Sequence, residues 1–125
     1  MKLKEQKNSA NLSSYLGTWV NTNDKSKLMK EITFFQSEDS FRMSVQASSE
    51  SFFQGPWNSA SVQYHSYSPE SNDIVAFQAQ FEMEEMSAFL AINENRGLII
   101  IACFLTFEDA DERSDCFVRE FFYKD

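Results

Sequence analysis

Eight short segments with the residue pattern of β-strands run through this sequence, several of them with alternating apolar and polar residues, and they constrain its fold more than any other feature. Alternation with a period of two is typical of a β-strand that buries one face. The segment 41–47 shows it clearly, with Phe41, Met43 and Val45 on one face and polar residues between them. A polar turn at 37–40 precedes it, as expected between two strands. The pattern predicts an all-β protein.

The eight segments follow one another with short connections, which favours antiparallel neighbours. Eight such strands close into a barrel whose interior either packs solid or holds one small ligand. We therefore predict an all-β, eight-stranded antiparallel up-and-down β-barrel with a short N-terminal helical turn. Segment six also contains residues that favour a helix, so a helix stays open there. The predicted strands are 17–22, 28–36, 41–47, 59–66, 74–82, 84–92, 98–107 and 116–123.

The length of 125 residues fits one domain. Residues 1–11 are polar and are predicted to be a flexible N-terminal segment, and residues 12–125 are predicted to form a single β-barrel domain. The longest irregular stretch holds Phe52, Phe53 and Trp57 within a polar frame. A loop this rich in apolar residues is more often a lid than an idle linker.

The net charge of −8 opposes binding to nucleic acid and to anionic membranes. The basic residues at 1–7 lack the apolar run of a signal peptide, and no stretch approaches the roughly 20 apolar residues of a spanning helix. We therefore expect a cytoplasmic protein with no nucleic-acid partner and no membrane partner. One histidine and two cysteines cannot supply a tetrahedral zinc site, so no metal and no cofactor are expected.

The two ends of the predicted barrel carry residues suited to closing it. Strand eight of such a barrel lies beside strand one, so Arg119 is expected to lie across the ring of Trp19. A cation–π contact of this kind contributes roughly 0.5–2 kcal/mol. Gly17 has no side chain and lets a neighbouring group approach closely. Gly17, Trp19 and Arg119 are therefore predicted to have a structural role.

The Gly17-Thr18-Trp19 motif followed by a late Arg119 resembles the signature of the calycins, which include lipocalins, fatty-acid-binding proteins and avidins. Three further stretches, at 55–57, 76–79 and 107–123, extend the likeness. Together they resemble a group of short, uncharacterised bacterial lipocalin-like proteins. That resemblance implies a barrel fold and implies no reaction, because the group has no settled activity.

The first strand is especially similar to that of avidins. Asn21 and Ser26 fall near positions that contact the ligand in that family. The several tryptophans with which avidins stack on biotin are missing, since only Trp57 remains beyond Trp19. Biotin is therefore not the expected ligand.

A lumen lined by aromatic and aliphatic side chains is the usual chemistry of a small-molecule pocket. We expect the barrel to bind a hydrophobic or aromatic small molecule there. The same side chains can instead fill a solid core, which would leave a structural protein, and this alternative stays open. The residues expected to contact the ligand are Phe34, Phe41, Met43, Trp57, Tyr64, Phe77, Phe81, Leu90 and Phe104.

An enzyme of the isomerase or cyclase type, working in the same lumen, is a second alternative. It requires one ionisable side chain that points inward. Glu120, His65 and Tyr64 are weak candidates for that catalytic group, because no recognisable nucleophile motif accompanies them. His65 falls on the polar phase of its strand and is expected outside. Glu120 is also expected to point outward. The set of alternate residues that contains its neighbour Arg119 is assigned to the barrel closure, and Glu120 belongs to the other set.

Strands seven and eight are apolar on both of their phases. Strand seven is therefore expected to be covered on both faces. An aromatic face left exposed would instead offer a contact surface. Self-association through that face, giving a homo-oligomer, is a third alternative. Cys103 and Cys116 flank the last turn and are expected to face each other as free thiols.

Overall fold

The computed structural model of the chain describes residues 12–51, 56–108 and 112–125. The predicted flexible segment 1–11 and the loop residues Phe52 and Phe53 lie outside the described residues. The regular elements within them are all β-strands. They are β1 (Gly17–Asn21), β2 (Met29–Ser37), β3 (Ser40–Ala47), β4 (Ala60–Ser66), β5 (Ile74–Glu82), β6 (Met86–Asn95), β7 (Leu98–Phe107) and β8 (Cys116–Lys124).

The eight strands form a closed barrel in sequence order, and β8 pairs with β1. Each neighbouring pair is antiparallel, which confirms the predicted all-β up-and-down architecture. Where the helical turn was predicted, the backbone N–H of Tyr15 donates to the carbonyl of Leu12 and forms one turn before β1. Within the described residues, no helix has the length and apolar character needed to cross a membrane.

Segment six is a strand because its pairing on both sides outweighs the helix propensity of its residues. Met86–Asn95 pairs with β5 on one side and along its whole length with β7 on the other. The β6–β7 hairpin turns at Arg96 and Gly97, whose φ angles are 54° and 85°. Two consecutive residues with positive φ form the tight turn that matches the twist of a hairpin.

We call the barrel end that carries the β1–β2, β3–β4, β5–β6 and β7–β8 connections the upper end, and the opposite end the lower end. At the lower end the turn before β1 packs into the barrel, where the ring of Tyr15 meets Phe77 edge-on at 4.7 Å. The indole Nε1 of Trp19 donates to the carbonyl of Tyr15 at 2.9 Å. These contacts plug the lower end.

The cation at the barrel closure is Lys124, and the prediction of Arg119 there was wrong. Trp19 pairs with Lys124 across the β1–β8 junction, and the Lys124 Nζ lies 5.0 Å from the centre of the Trp19 ring. The same Nζ donates to the carbonyl of Leu16 at 2.6 Å. Arg119 lies five residues earlier on β8, is exposed, and approaches the ring of Phe121 at 5.7 Å.

Gly17 fits this closure for two reasons. Its φ of +116° is a conformation that residues with a Cβ rarely adopt. A Cβ at this position would also stand 3.2 Å from Cε of Lys124. The glycine therefore allows the lysine to cross the end of β1, as the motif suggested, although the cation is a different residue.

Candidate functional site

Most of the residues predicted to line a ligand cavity instead form a packed core. The rings of Phe34, Phe41 and Phe77 form a cluster, with all three centroid separations between 5.5 and 5.8 Å. Met43 and Leu90 have 0% of their surface exposed. A cavity large enough for water would leave accessible surface on its walls, so no such cavity borders Met43 or Leu90.

The inward-facing residues of β8 become steadily less buried towards the upper end. Phe122 is fully buried, Glu120 is 7% exposed, Val118 is half-buried and Cys116 is exposed. Val45 and Ala47 on β3 show the same trend, since Ala47 is half-buried. Glu120 therefore lies where burial begins to fall along β8, whereas Leu105, opposite Cys116 on β7, stays buried.

The prediction that Glu120 points outward was wrong. Glu120 pairs with the fully buried Ile101 on β7, and it shares its phase with Phe122. Side chains alternate along a strand, so Arg119 and Phe121 point outward and Glu120 points into the barrel. The barrel interior therefore contains a carboxyl group.

The Glu120 carboxyl lacks a complete set of partners. Its Oε1 is buried and makes no hydrogen bond with any described residue. Burying a carboxylate is costly unless hydrogen bonds or an opposite charge replace its hydration, and buried polar atoms in proteins nearly always have partners. Such an atom in a native core calls for a specific explanation.

A second buried polar atom without a partner belongs to Trp57, in the connection from β3 to β4. The side chain is 7% exposed and packs edge-on against Phe81, with ring centres 5.2 Å apart. Its Nε1 makes no hydrogen bond within the described part of the chain. The upper part of the interior thus contains an unused donor on Trp57 and an unused acceptor on Glu120.

Two other buried polar side chains at the upper end make hydrogen bonds with the backbone. The Asn21 amide donates to the carbonyl of Met29 at 2.8 Å, and its oxygen accepts from the N–H of Asn23. The Ser26 hydroxyl accepts from the N–H groups of Leu28 and Met29. The two residues that match avidin ligand contacts therefore fix the β1–β2 turn.

Cys103 lies close to Glu120 inside the barrel, and burial together with that carboxylate raises the pKa of the Cys103 thiol to about 12. Cys103 pairs with Val118, and Cys116 pairs with Leu105, so the two cysteines are offset rather than directly opposite. Both are free, with Cys103 buried and Cys116 exposed.

The two thiols should therefore react at very different rates. At pH 8 we expect a maleimide reagent to modify Cys116 within minutes and to modify Cys103 only when the protein unfolds, because the thiolate is the reactive form. Mass spectrometry of the native protein should show one fast addition. A second addition at the same rate would contradict the buried, protonated state of Cys103, and the Cys116→Ser variant identifies the fast site.

The remaining catalytic candidates lie away from Glu120. His65 is exposed, as predicted, and its Nε2 lies 2.9 Å from Oε1 of Gln78 on the outer surface. Tyr64 is half-buried on the lower part of β4, next to Phe77 in the β4–β5 register. The structure therefore brings neither residue together with Glu120.

Phe104 does not line the interior, which corrects the prediction. Cys103 and Leu105 on either side are buried, so alternation places Phe104 on the outer surface, where 48% of it is exposed. Its ring contacts Phe89 on β6 and Phe117 on β8, with ring centres 6.4 and 5.1 Å apart. The expectation that β7 is covered on both faces was wrong, because its outer face exposes Phe104.

At least three clefts lie outside the barrel interior, namely one of about 190 Å³ at the β5–β6 turn and the two that follow. A groove of about 500 Å³ crosses the outer surface of β3, β4 and β5 beside Arg42. The Arg42 guanidinium there is already bound by the hydroxyl and carbonyl oxygens of Ser59 and by the hydroxyl of Ser61. A smaller cleft of about 200 Å³ borders the β1–β2 turn. None of the three clefts is lined by a buried polar group that lacks a partner among the described residues.

Comparison with known proteins found no matching family model, no matching curated protein and no matching solved structure. The function is therefore inferred from the chemistry of the barrel itself.

Proposed function

We propose that the barrel binds a small hydrophobic or aromatic molecule that carries a hydrogen-bond donor, and that Glu120 and Trp57 are its polar contacts. The observation that supports this proposal is the pair of buried polar atoms without partners, Oε1 of Glu120 and Nε1 of Trp57. One is an acceptor and the other a donor. A ligand with an N–H or O–H group and an acceptor atom would satisfy both.

The surroundings favour an apolar body for this ligand. Trp57 packs on Phe81, and Glu120 lies near Cys103 and Ile101, so the walls are apolar apart from the two polar atoms. Pockets for small molecules commonly combine apolar walls with a few polar groups that orient the ligand. A hydrogen bond to a carboxylate is among the stronger ones, which favours an amine or amide donor.

The packed middle of the barrel limits where the ligand sits. Met43, Leu90 and Phe34 leave no space there, so the ligand occupies the upper part of the interior, above Phe122. Trp57 belongs to the connection above this region, and its ring must shift to admit a molecule. Binding is therefore proposed to be coupled to movement of the Trp57 side chain.

Glu120 also meets the requirement of the enzyme alternative for an inward ionisable group. The neighbouring Cys103 thiol is protonated at neutral pH because its pKa is raised to about 12, so it offers no second base. His65 and Tyr64 are elsewhere. We therefore propose binding as the function and keep single-group acid–base catalysis as the alternative.

We also propose that this is a calycin of the lipocalin-like type in the bacterial cytoplasm, with no cofactor. The closed eight-stranded up-and-down barrel and the Gly17-Thr18-Trp19 motif on β1 support this proposal. The net charge of −8 agrees with the proposal that neither nucleic acid nor a membrane is its partner.

Native mass spectrometry of protein purified from its own host tests the binding function. We expect a small-molecule adduct on the wild-type protein, reduced at least tenfold in Glu120→Gln and Trp57→Phe, because each loses one polar contact. Glu70→Gln, an exposed carboxyl at the lower end, is the matched control and should keep the adduct. Wild-type protein without an adduct, or an adduct equal in all variants, would contradict the proposal.

A further inference from the structure

Aromatic side chains cover the outer surface of three neighbouring strands. We call this surface the outer aromatic face, made of Phe89 on β6, Phe104 on β7, and Phe117, Phe121 and Tyr123 on β8. The rings of Phe89, Phe104 and Phe117 follow one another across the strands. Phe104 is 48% exposed, Phe117 53%, Phe121 36% and Tyr123 46%.

The exposed area is large for a chain of this size. With about 200 Å² for a whole aromatic side chain, the four most exposed rings present on the order of 400 Å² of apolar surface. Patches of this size on a monomer commonly mark binding sites. Half-buried Leu98 and Ile100 on β7 and Val20 on β1 extend the face. These side chains together supply more than half of the roughly 800 Å² per partner of a standard protein interface.

The charge distribution favours a second copy of the chain as the occupant. The chain has a net charge of −8, yet the outward phases of β6, β7 and β8 carry no carboxylate. Arg119 is the one charged side chain on those phases, and it makes no ion pair with a described residue. Two copies can therefore meet at this face while their negative charges lie elsewhere.

We propose that the outer aromatic face is the contact surface of a homodimer with two-fold symmetry. In such a dimer the same face contributes from both copies, so Phe104 and Phe117 pack against the partner's equivalents. Arg119 then lies within the interface, and Glu31, next to Val20 in the β1–β2 register, borders the face as an acceptor for it. This inference is independent of the interior ligand.

Sedimentation equilibrium of the full chain at micromolar concentrations tests the dimer. We expect twice the chain mass of 14.5 kDa. The double variant Phe104→Ser, Phe117→Ser should weaken association by at least 100-fold, because buried aromatic residues near the centre of an interface dominate its energy. Circular dichroism checks that the variant is folded, and Phe117→Ser alone serves as a milder second variant.

Tyr67→Ser is the matched control, since Tyr67 is 78% exposed but lies on the β4–β5 connection, away from the face. It should leave the dimer unchanged. Added salt should strengthen the dimer, because it screens the repulsion between two chains of charge −8. A wild-type monomer up to several hundred micromolar, or a dimer that the double variant retains, would overturn the proposal.

Discussion

Replacing Phe34 with alanine is expected to lower the free energy of unfolding by about 4 kcal/mol. Phe34 is fully buried and lies within 6 Å, centre to centre, of the rings of Phe41 and Phe77. Truncating a buried phenylalanine removes its transfer free energy and leaves a cavity, which together cost about 3–5 kcal/mol. The loss is large because the residue belongs to a solid core. A wall residue of an open lumen would already be partly hydrated and would cost less.

Urea denaturation monitored by circular dichroism measures this loss. Phe104→Ala is the matched control, because it removes the same side chain from the outer surface and should cost well under 1 kcal/mol in the monomer. Measurements below the dimer concentration keep association out of the comparison. Similar losses for the two variants would show that Phe34 does not sit in a tightly packed interior.

The fold follows from the sequence because the alternating pattern is local and strong. On β3, Phe41, Met43 and Val45 are apolar and their neighbours are polar, so the phase is unambiguous, and the structure buries these three. Turn-forming residues are also a local signal, and they predict where strands end. Gly97 is an example, because the backbone there has a positive φ. Local rules therefore predict eight strands and their order.

The same rules fail on β7 and β8 because both phases there are apolar. Phe117, Phe121 and Tyr123 on one phase are as hydrophobic as Val118 and Phe122 on the other. Composition cannot then decide which set faces inward. The predicted cation–π contact with Trp19 was assigned to Arg119. Only the pairing of Trp19 with Lys124 fixes the phase, and that pairing is a long-range contact. One wrong assignment placed Glu120 outside.

The two side chains proposed to contact the ligand were the hardest to predict for a related reason. Trp57 was expected at the mouth of the barrel, and it does lie at the upper connection, but no local pattern indicates that its Nε1 lacks a partner. Whether a buried polar atom is satisfied depends on groups brought from distant parts of the chain. The sequence feature that pointed to Glu120 was a single carboxylate on an otherwise apolar strand.

Replacing Glu120 with methionine is expected to raise the free energy of unfolding by about 2 kcal/mol. Methionine has a similar length and volume and no polar atom, so it can occupy the same space beside Cys103 and Ile101. The gain arises because Oε1 of Glu120 is buried without a hydrogen-bond partner. For a chain of this length the melting temperature should rise by about 6 °C.

The direction of this change distinguishes a binding group from a structural one. If Glu120 held the barrel together, its removal would destabilise the protein, because broken polar networks in a core are costly. A buried residue whose role is ligand binding is instead expected to lower the stability of the ligand-free protein. Its replacement should then raise the free energy of unfolding and abolish binding. Thermal melts of the ligand-free protein should therefore show Glu120→Met above wild type. Glu120→Gln, which keeps an uncharged polar group in the core, should fall between them.

The matched control is Glu70→Met at an exposed turn, where stability should change by less than about 0.5 kcal/mol. Wild-type protein must be stripped of any bound molecule first, because a ligand that fills the site stabilises the wild type by mass action and hides the gain. A melting temperature of Glu120→Met below that of the stripped wild type would assign Glu120 to the structure of the barrel. A higher melting temperature of Glu120→Met together with loss of the adduct would assign Glu120 to ligand binding. The same oxygen, Oε1, would then destabilise the ligand-free protein and contact the bound ligand.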